Sequence, residues 1–366
     1  MIIGVPKEIK SQEHRIALTP AGAHQLTRKG HQVFVEKGAG VDAGYSDDEF
    51  AQAGATMLDE HAEVFKKANL IVKVKEPLES EVPLLRKGQL LFTYLHLAAN
   101  RPLTVHLMNM GVTAIAYETV QQQHRLPLLE PMSEIAGRMS VIVGAHYLAK
   151  NKGGRGVLLG GVPGVSPGRV VILGGGTSGV NAARMALGLG ADTTILELDA
   201  ERMRYLDQTM RPLKTLYSTH SALLSLLPST DLLICAVLVP GAKAPKLINR
   251  AMLQIMRPGS VLVDISIDQG GCAETSRPTT HDDPVFVEEG VIHYCVANMP
   301  GAYARTATQA LTSATYGYLQ LLADHGLEEA CERQPSLASG VNIHHGKLTS
   351  EAVGRSLDIP WVEFKV

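Results

Sequence analysis

VVILGGGTSGVNAARMALGLGA, residues 170–191, is the stretch on which the fold turns. An apolar, β-branched run is followed at once by Gly174, Gly176 and Gly179 in G-x-G-x-x-G spacing, and then by a helix-forming stretch. Each glycine has a physical task in that setting: a tight turn out of a strand, close approach of backbone to a pyrophosphate, and close packing of helix on strand. Thr177 and Ser178 fall within the same turn, where free amides and the positive end of a helix dipole favour phosphate charge. A glycine triplet alone also suits an ordinary tight loop. The next apolar run, TTILELD, adds Glu197, 21 residues beyond Gly176 (197 minus 176), where an acidic side chain accepts hydrogen bonds from an adenosine ribose. A carboxylate at that point repels the extra phosphate of NADP, so NAD is the expected cofactor. Arg202 and Arg204 lie nearby and would soften that choice, although exposed helix charges are their simpler reading.

Working outward, VVIL, TTIL, TLY, DLLICAV, SVLVDIS and VIHYCVA supply six strand candidates between residues 169 and 297, separated by helical stretches. Six is the number that a doubly wound dinucleotide fold uses. The first hundred or so residues repeat the alternation, with strand candidates at 2–5, 32–35, 70–74, 90–95 and 112–117. Between the first two of these, Thr19 is placed to cap a helix, Pro20 to start it and Gly30 to close it. PMSEIAGRMSVIVGAHYLA has the periodicity of a long connecting helix, and a second helical stretch at 306–325 returns the chain. The expected architecture is α/β: two Rossmann-like doubly wound domains with a cleft between them, joined by long helices. Residues 1–128 and 305–366 form a discontinuous substrate or catalytic domain, and residues 129–304 the NAD-binding domain.

Bulk properties exclude several classes. The 366 residues suffice for two cores, and 34 Lys plus Arg against 36 Asp plus Glu leave no basic block suited to nucleic acid. No apolar run reaches the roughly 18 to 20 residues needed to cross a bilayer. MIIGVPKEIK lacks the features of a secretory signal, so a cytoplasmic location is expected. Cys235, Cys272, Cys295 and Cys331 are scattered, without a CxxC pair or a His at zinc-ligand spacing, and read as reduced, mostly buried thiols; no metal site is expected.

Polar residues then mark a site. In open α/β sheets ligands gather at the carboxyl ends of strands. Lys75 follows LIVKV, His96 follows LLFTYL, and Arg15 lies in the loop after the first strand. Arg15 and Lys75 suit a substrate carboxylate, and His96 is a residue of the type that takes or gives a proton in acid–base chemistry. Taken singly, each also reads as a solvated loop charge or a hydrogen-bonded strand-end histidine. Asp268 sits just beyond SVLVDIS, where a carboxylate holds an ammonium group or assists proton transfer; capping the DQGG turn is its plainer use. HYCVANMPGA brings Asn298 and Met299 to another strand end, suited to a nicotinamide ring.

Together, PKEIKSQEHRIALTPAG, VKVKEP, LLFTYLHLAAN, PMSEIAGRMS, GGRGVLLGGVPGV, VLVPGAKAPKL, VDISIDQGGCAETSRPTTH and HYCVANMPGA resemble the alanine dehydrogenases, within the wider group that includes the alpha subunit of proton-translocating nicotinamide nucleotide transhydrogenase. The resemblance implies that Arg15 and Lys75 bind the substrate carboxylate and that His96 and Asp268 are the catalytic pair. It further implies NAD contacts at Ser133, the Gly174–Gly179 turn, Glu197, Arg202, Ser218, Val237, Leu238, Ile267, Asn298 and Met299. The implied reaction is reversible oxidation of L-alanine to pyruvate and ammonia, by a homohexamer. An NAD-binding subunit acting only with a membrane partner is the alternative. This chain departs from the family pattern at Glu197, where Asp is usual, at Ala304 in place of proline, and at Cys235 in place of glycine.

Overall fold

A computed structural model describes residues 1–123, 125–237 and 244–365. The chain divides into two compact units, Met1–Met132 with Gly301–Val366, and Ser133–Pro300.

The first unit is built on eight strands: β1 (Ile2–Val5), β2 (Gln32–Glu36), β3 (Thr56–Leu58), β4 (Leu70–Val72), β5 (Leu90–Thr93), β6 (Thr113–Ala116), and, after the second unit, β14 (Val341–His344) and β15 (Lys347–Leu348). Their order is β15-β14-β6-β5-β4-β1-β2-β3. The six N-terminal strands run parallel in the doubly wound order, 3-2-1-4-5-6, and reverse direction of winding between β1 and β4. β14 and β15 extend the β6 edge antiparallel.

The second unit contains β7 (Arg169–Leu173), β8 (Asp192–Glu197), β9 (Lys214–Tyr217), β10 (Leu232–Cys235), β11 (Val261–Asp264), β12 (Val285–Glu288) and β13 (Val291–Tyr294). The order β12-β13-β11-β10-β7-β8-β9 repeats the same winding, with the antiparallel β12 added at one edge. The two-domain α/β class expected from the alternation of strand and helix is the one observed.

Local chemistry explains the elements. Thr19 accepts from the Gly22 amide at the start of the helix Pro20–Arg28, Pro20 opens it, and Gly30 follows it at φ +86°. The helix Glu130–Tyr147 spans the junction between the units, and the helix Ala304–His325 follows the return to the first. Central strands are buried on both faces, as parallel strands under two helical layers must be: β4, β6, β10, β11 and β13 are buried at every position. Each buried Val, Leu or Ile side chain in them contributes about 1.5–3 kcal/mol.

Candidate active site

In the first unit, Arg15, Lys75 and His96 follow β1, β4 and β5, which are three neighbouring strands astride the switch of winding. Ligands of open α/β sheets collect at that point.

Arg15 is 2 % exposed. Glu13 takes it bidentately, Nε to Oε1 at 2.6 Å and Nη2 to Oε2 at 2.5 Å, and Nη1 reaches Met132 Sδ at 2.9 Å. Burial opposes the guanidinium charge, but the Glu13 carboxylate outweighs it and raises the Arg15 pKa above its ordinary value.

Lys75 is buried too, and Glu8 fixes its backbone: Glu8 Oε1 accepts from the amides of Val74 at 2.6 Å and Lys75 at 3.4 Å. Glu8 is itself held by the buried Lys73 at 3.2 Å, which also pairs with Glu81 at 2.6 Å. Next to Lys75, burial of the Glu76 carboxyl works against ionisation. The hydrogen bond and charge of Lys10, with the charges of Lys75 and His96, nonetheless hold it below the usual carboxylate range.

His96 is exposed and stands in the left-handed region at φ 49°, ψ 37°. A residue with a Cβ pays about 1–2 kcal/mol for that conformation. Glu118 offsets it by accepting from the amides of His96 at 2.6 Å and Leu95 at 3.2 Å. The His96 ring stacks on Tyr94, centroids 5.9 Å apart and planes at 8°. Tyr94 donates to Leu128 O at 2.6 Å; burial pushes its pKa up, and the nearby Arg15 charge counters part of that rise. Glu8, Glu13 and Glu118 escaped the reading of the sequence, because each acts on backbone or on a neighbour and has no motif of its own.

In the second unit, Gly174 turns out of β7 at φ +93°, and a Cβ there would lie 2.8 Å from Ala236 O. A Cβ on Gly179 would lie 1.9 Å from Gly174 O, so helix and strand close up as the motif requires. Gly176 meets nothing within 4 Å. It is the N-cap of the helix Thr177–Gly188, which begins without a side-chain cap and holds Thr177 and Ser178 in its first turn. An open glycine ahead of uncapped amides fits a pyrophosphate. Against this turn packs the helix of Ser133, which is partly buried; a Cβ on its Gly137 would lie 2.1 Å from Ser178 O.

Glu197 ends β8 and braces the same loop. Its Oε2 accepts from Gly175 N at 2.6 Å, and its Oε1 from Leu198 N at 2.7 Å and Asp199 N at 3.1 Å. Arg202, for which an exposed helix charge is the simpler reading and an NAD contact what the resemblance implies, donates from Nε to Gly175 O at 2.7 Å. Ser218 follows β9 and donates its amide to Glu197 O at 2.8 Å. Val237 follows β10 and accepts from the Ser266 hydroxyl at 2.7 Å; Leu238 lies outside the described residues.

Ile267 and Asp268 occupy the turn Ile265–Gln269 after β11, Ile267 buried and Asp268 exposed. The capping role weighed for Asp268 belongs to Asp264, whose carboxylate accepts from Ser266 N at 3.0 Å, Cys272 N at 2.7 Å and Ser276 Oγ at 2.6 Å. After β13, Asn298 has φ +66° and accepts at its carbonyl from His281 at 3.2 Å, while Met299 is buried. Of the positions expected to contact the cofactor, all the described ones but Ser133 and Arg202 lie at or just beyond the carboxyl ends of β7, β8, β9, β10, β11 and β13.

The sequence matches the alanine dehydrogenase/PNT N-terminal domain over residues 4–136 and the C-terminal domain over residues 140–351. The chain belongs to the alanine dehydrogenase/PNT family. Alanine dehydrogenase of Halomonas elongata is 55% identical over 99% of this chain and 98% of its own length, and that of Bacillus subtilis is 52% identical over 99% and 96%. A solved L-alanine dehydrogenase superposes with a TM-score of 0.94 at 50% identity, covering 98% of this chain and 99% of its own. A transhydrogenase from Sinorhizobium meliloti shares the fold at 23% identity and a TM-score of 0.82. No helix among the described residues is long and apolar enough to cross a membrane.

Proposed function

We propose that this member of the alanine dehydrogenase/PNT family oxidises L-alanine to pyruvate and ammonia with NAD, reversibly. The observation that carries the reading is the grouping of Arg15, Lys75 and His96 at the carboxyl ends of β1, β4 and β5, two cations and a titratable ring beside one switch of winding. Relatedness over nearly the full length to proteins named alanine dehydrogenase supports the substrate.

Arg15 and Lys75 dock the substrate carboxylate, Arg15 as a planar fork kept in plane by Glu13 and Lys75 as a point charge. The open Gly176 turn and the helix start at Thr177 would hold the dinucleotide's pyrophosphate, and Glu197 its adenosine ribose, with Ser133, Arg202, Ser218, Val237, Ile267, Asn298 and Met299 around it. Bound NAD supplies the hydride acceptor. Because the alpha carbon releases hydride only when its nitrogen is a neutral amine, His96 or Asp268 takes up the ammonium proton, directly or through water. The same pair then activates the water that attacks the iminium carbon, and a proton returned to nitrogen lets ammonia leave. Glu118 sets the His96 backbone and Tyr94 its ring plane, which fixes where that proton is received. A cytoplasmic location and a homohexamer belong to the same proposal and rest on the family resemblance.

An NAD-binding subunit that works only beside a membrane partner is not favoured, since the full-length relatives are alanine dehydrogenases and the transhydrogenase likeness is one of fold. The test mixes the purified chain with NAD or NADP and a panel of amino acids, and follows reduced-nicotinamide absorbance. Turnover confined to L-alanine and related short amino acids, with NAD much preferred, is the expected result. Silence with alanine and NAD, or equal use of NADP, overturns it.

A further inference from the structure

The four cysteines are scattered in sequence, yet three of them gather around one carboxylate. Parallel pairing sets Cys235, the last residue of β10, beside Asp264, the last of β11. Gly270 and Gly271, at φ +92° and +76°, then turn the chain back so that Cys272 returns to Asp264. A Cβ on Gly271 would lie 2.8 Å from Asp264 Oδ2, which leaves glycine as the residue for that turn. The two sulfurs and a carboxylate oxygen of Asp264 all lie within 4.8 Å of one another, and all three residues are buried. The Cys235 thiol donates to Cys272, whose own thiol donates to Ser266 Oγ at 3.3 Å. Burial, and after it the Asp264 charge, push the Cys295 thiol up to about 12.

We propose that Cys235, Asp264 and Cys272 form a binding site for a thiophilic divalent cation of the zinc class. Two sulfurs and one oxygen are a borderline-soft donor set, which suits zinc and its spectroscopic substitute cobalt and disfavours magnesium or calcium, whose shells are oxygen throughout. Donor spacing within 4.8 Å leaves a modest inward adjustment to reach metal–sulfur bonds of about 2.3 Å. The carboxylate is already oriented by Ser266 N, Cys272 N and Ser276 Oγ, the kind of outer hydrogen bonding that fixes metal ligands. Binding releases the two thiol protons to solvent and involves no oxidation or reduction. Asp264 and Cys272 bracket Asp268 on both sides in sequence, so the cation would tie both ends of the turn that carries it.

The test uses the full-length protein, reduced, stripped with a chelator, and exposed to cobalt(II) and then zinc(II), during slow dialysis and during expression in supplemented medium. One cation per chain is expected, with a sulfur-to-cobalt charge-transfer band that zinc abolishes. Cys235→Ala and Cys272→Ala, each confirmed folded by circular dichroism, should weaken binding by more than the roughly 10- to 100-fold that loss of an outer partner costs. If either variant fails to fold, the charge-transfer band of the parent protein and its thiols protected from alkylation by zinc carry the decision. Absence of bound cation in reduced protein, binding that both alanine variants retain, or a disulfide consuming two thiols in place of the cation each overturns the proposal.

Discussion

Glu13 grips Arg15 with both carboxylate oxygens, and neither side chain has more than 2 % of its surface exposed. Removing one partner of such a pair leaves a desolvated charge behind, which typically costs about 3–5 kcal/mol. Glu13→Gln should therefore lower the unfolding free energy by that order in denaturant titration. It should also weaken capture of pyruvate, since the guanidinium plane is no longer held. An unchanged unfolding midpoint would show that Glu13 does not carry this load.

His96→Ala tests the proton path. General acid–base catalysis contributes about 10²- to 10⁴-fold, so turnover should fall within that range while NAD still binds. The split is read by stopped-flow turnover beside calorimetric titration of the cofactor. Near-normal rates would assign the base elsewhere.

Lys75→Met keeps the apolar stem and deletes the charge. Loss of a hydrogen bond to a charged group costs about 1.5–3 kcal/mol, so KM for pyruvate and alanine should rise about 10- to 100-fold. KM for NAD should move little. Steady-state kinetics in both directions distinguishes this from a general loss of fold.

His61 sets a pH dependence of stability. Its Nδ1 lies 2.7 Å from Glu36 Oε2, and its Nε2 makes a 3.3 Å ion-pair contact with Glu81 rather than an aligned hydrogen bond. The Glu36 hydrogen bond and then Glu81 raise its pKa from 6.5 to about 9, against the opposing effect of burial. Because the folded-state value is the higher, the stabilisation is complete below the unfolded value of 6.5 and is lost as pH rises through about 9. Denaturant unfolding from pH 6 to 10 should show that loss in the parent chain, and His61→Gln should flatten it.

Much of this was legible in the sequence because it is periodic or carries a signature. The glycine turn, the strands β7 to β11 with β13, and the cap of Thr19 all rest on local rules. β3, β12, β14 and β15 were not foreseen: β3 has only three residues, and β12, β14 and β15 lie on or near sheet edges where burial leaves a weak apolar pattern. The strands ending at Val72 and Thr93 are shorter than the apolar runs that suggested them, although backbone pairing carries on past their ends, Lys73 N donating to Phe92 O at 3.2 Å and Tyr94 N to Val74 O at 3.3 Å. Positions of Arg15, Lys75 and His96 followed from strand ends, but their partners Glu13, Glu8 and Glu118 did not, because those contacts depend on loop conformation. Spacing rules also failed for Cys235 and Cys272, which meet through the register of β10 with β11 and a double-glycine turn.

The sheet of the first unit is completed by strands that the ribosome delivers long after the other six. Ile115 in β6 pairs with Val341 in β14, 226 positions later (341 minus 115). Until then β6 presents a bare edge of unpaired amides and carbonyls while the whole of the second unit is being made, and such an edge pairs readily with neighbouring chains. A nascent chain halted before residue 341 is thus an aggregation hazard, and the β14–β15 hairpin acts as its seal.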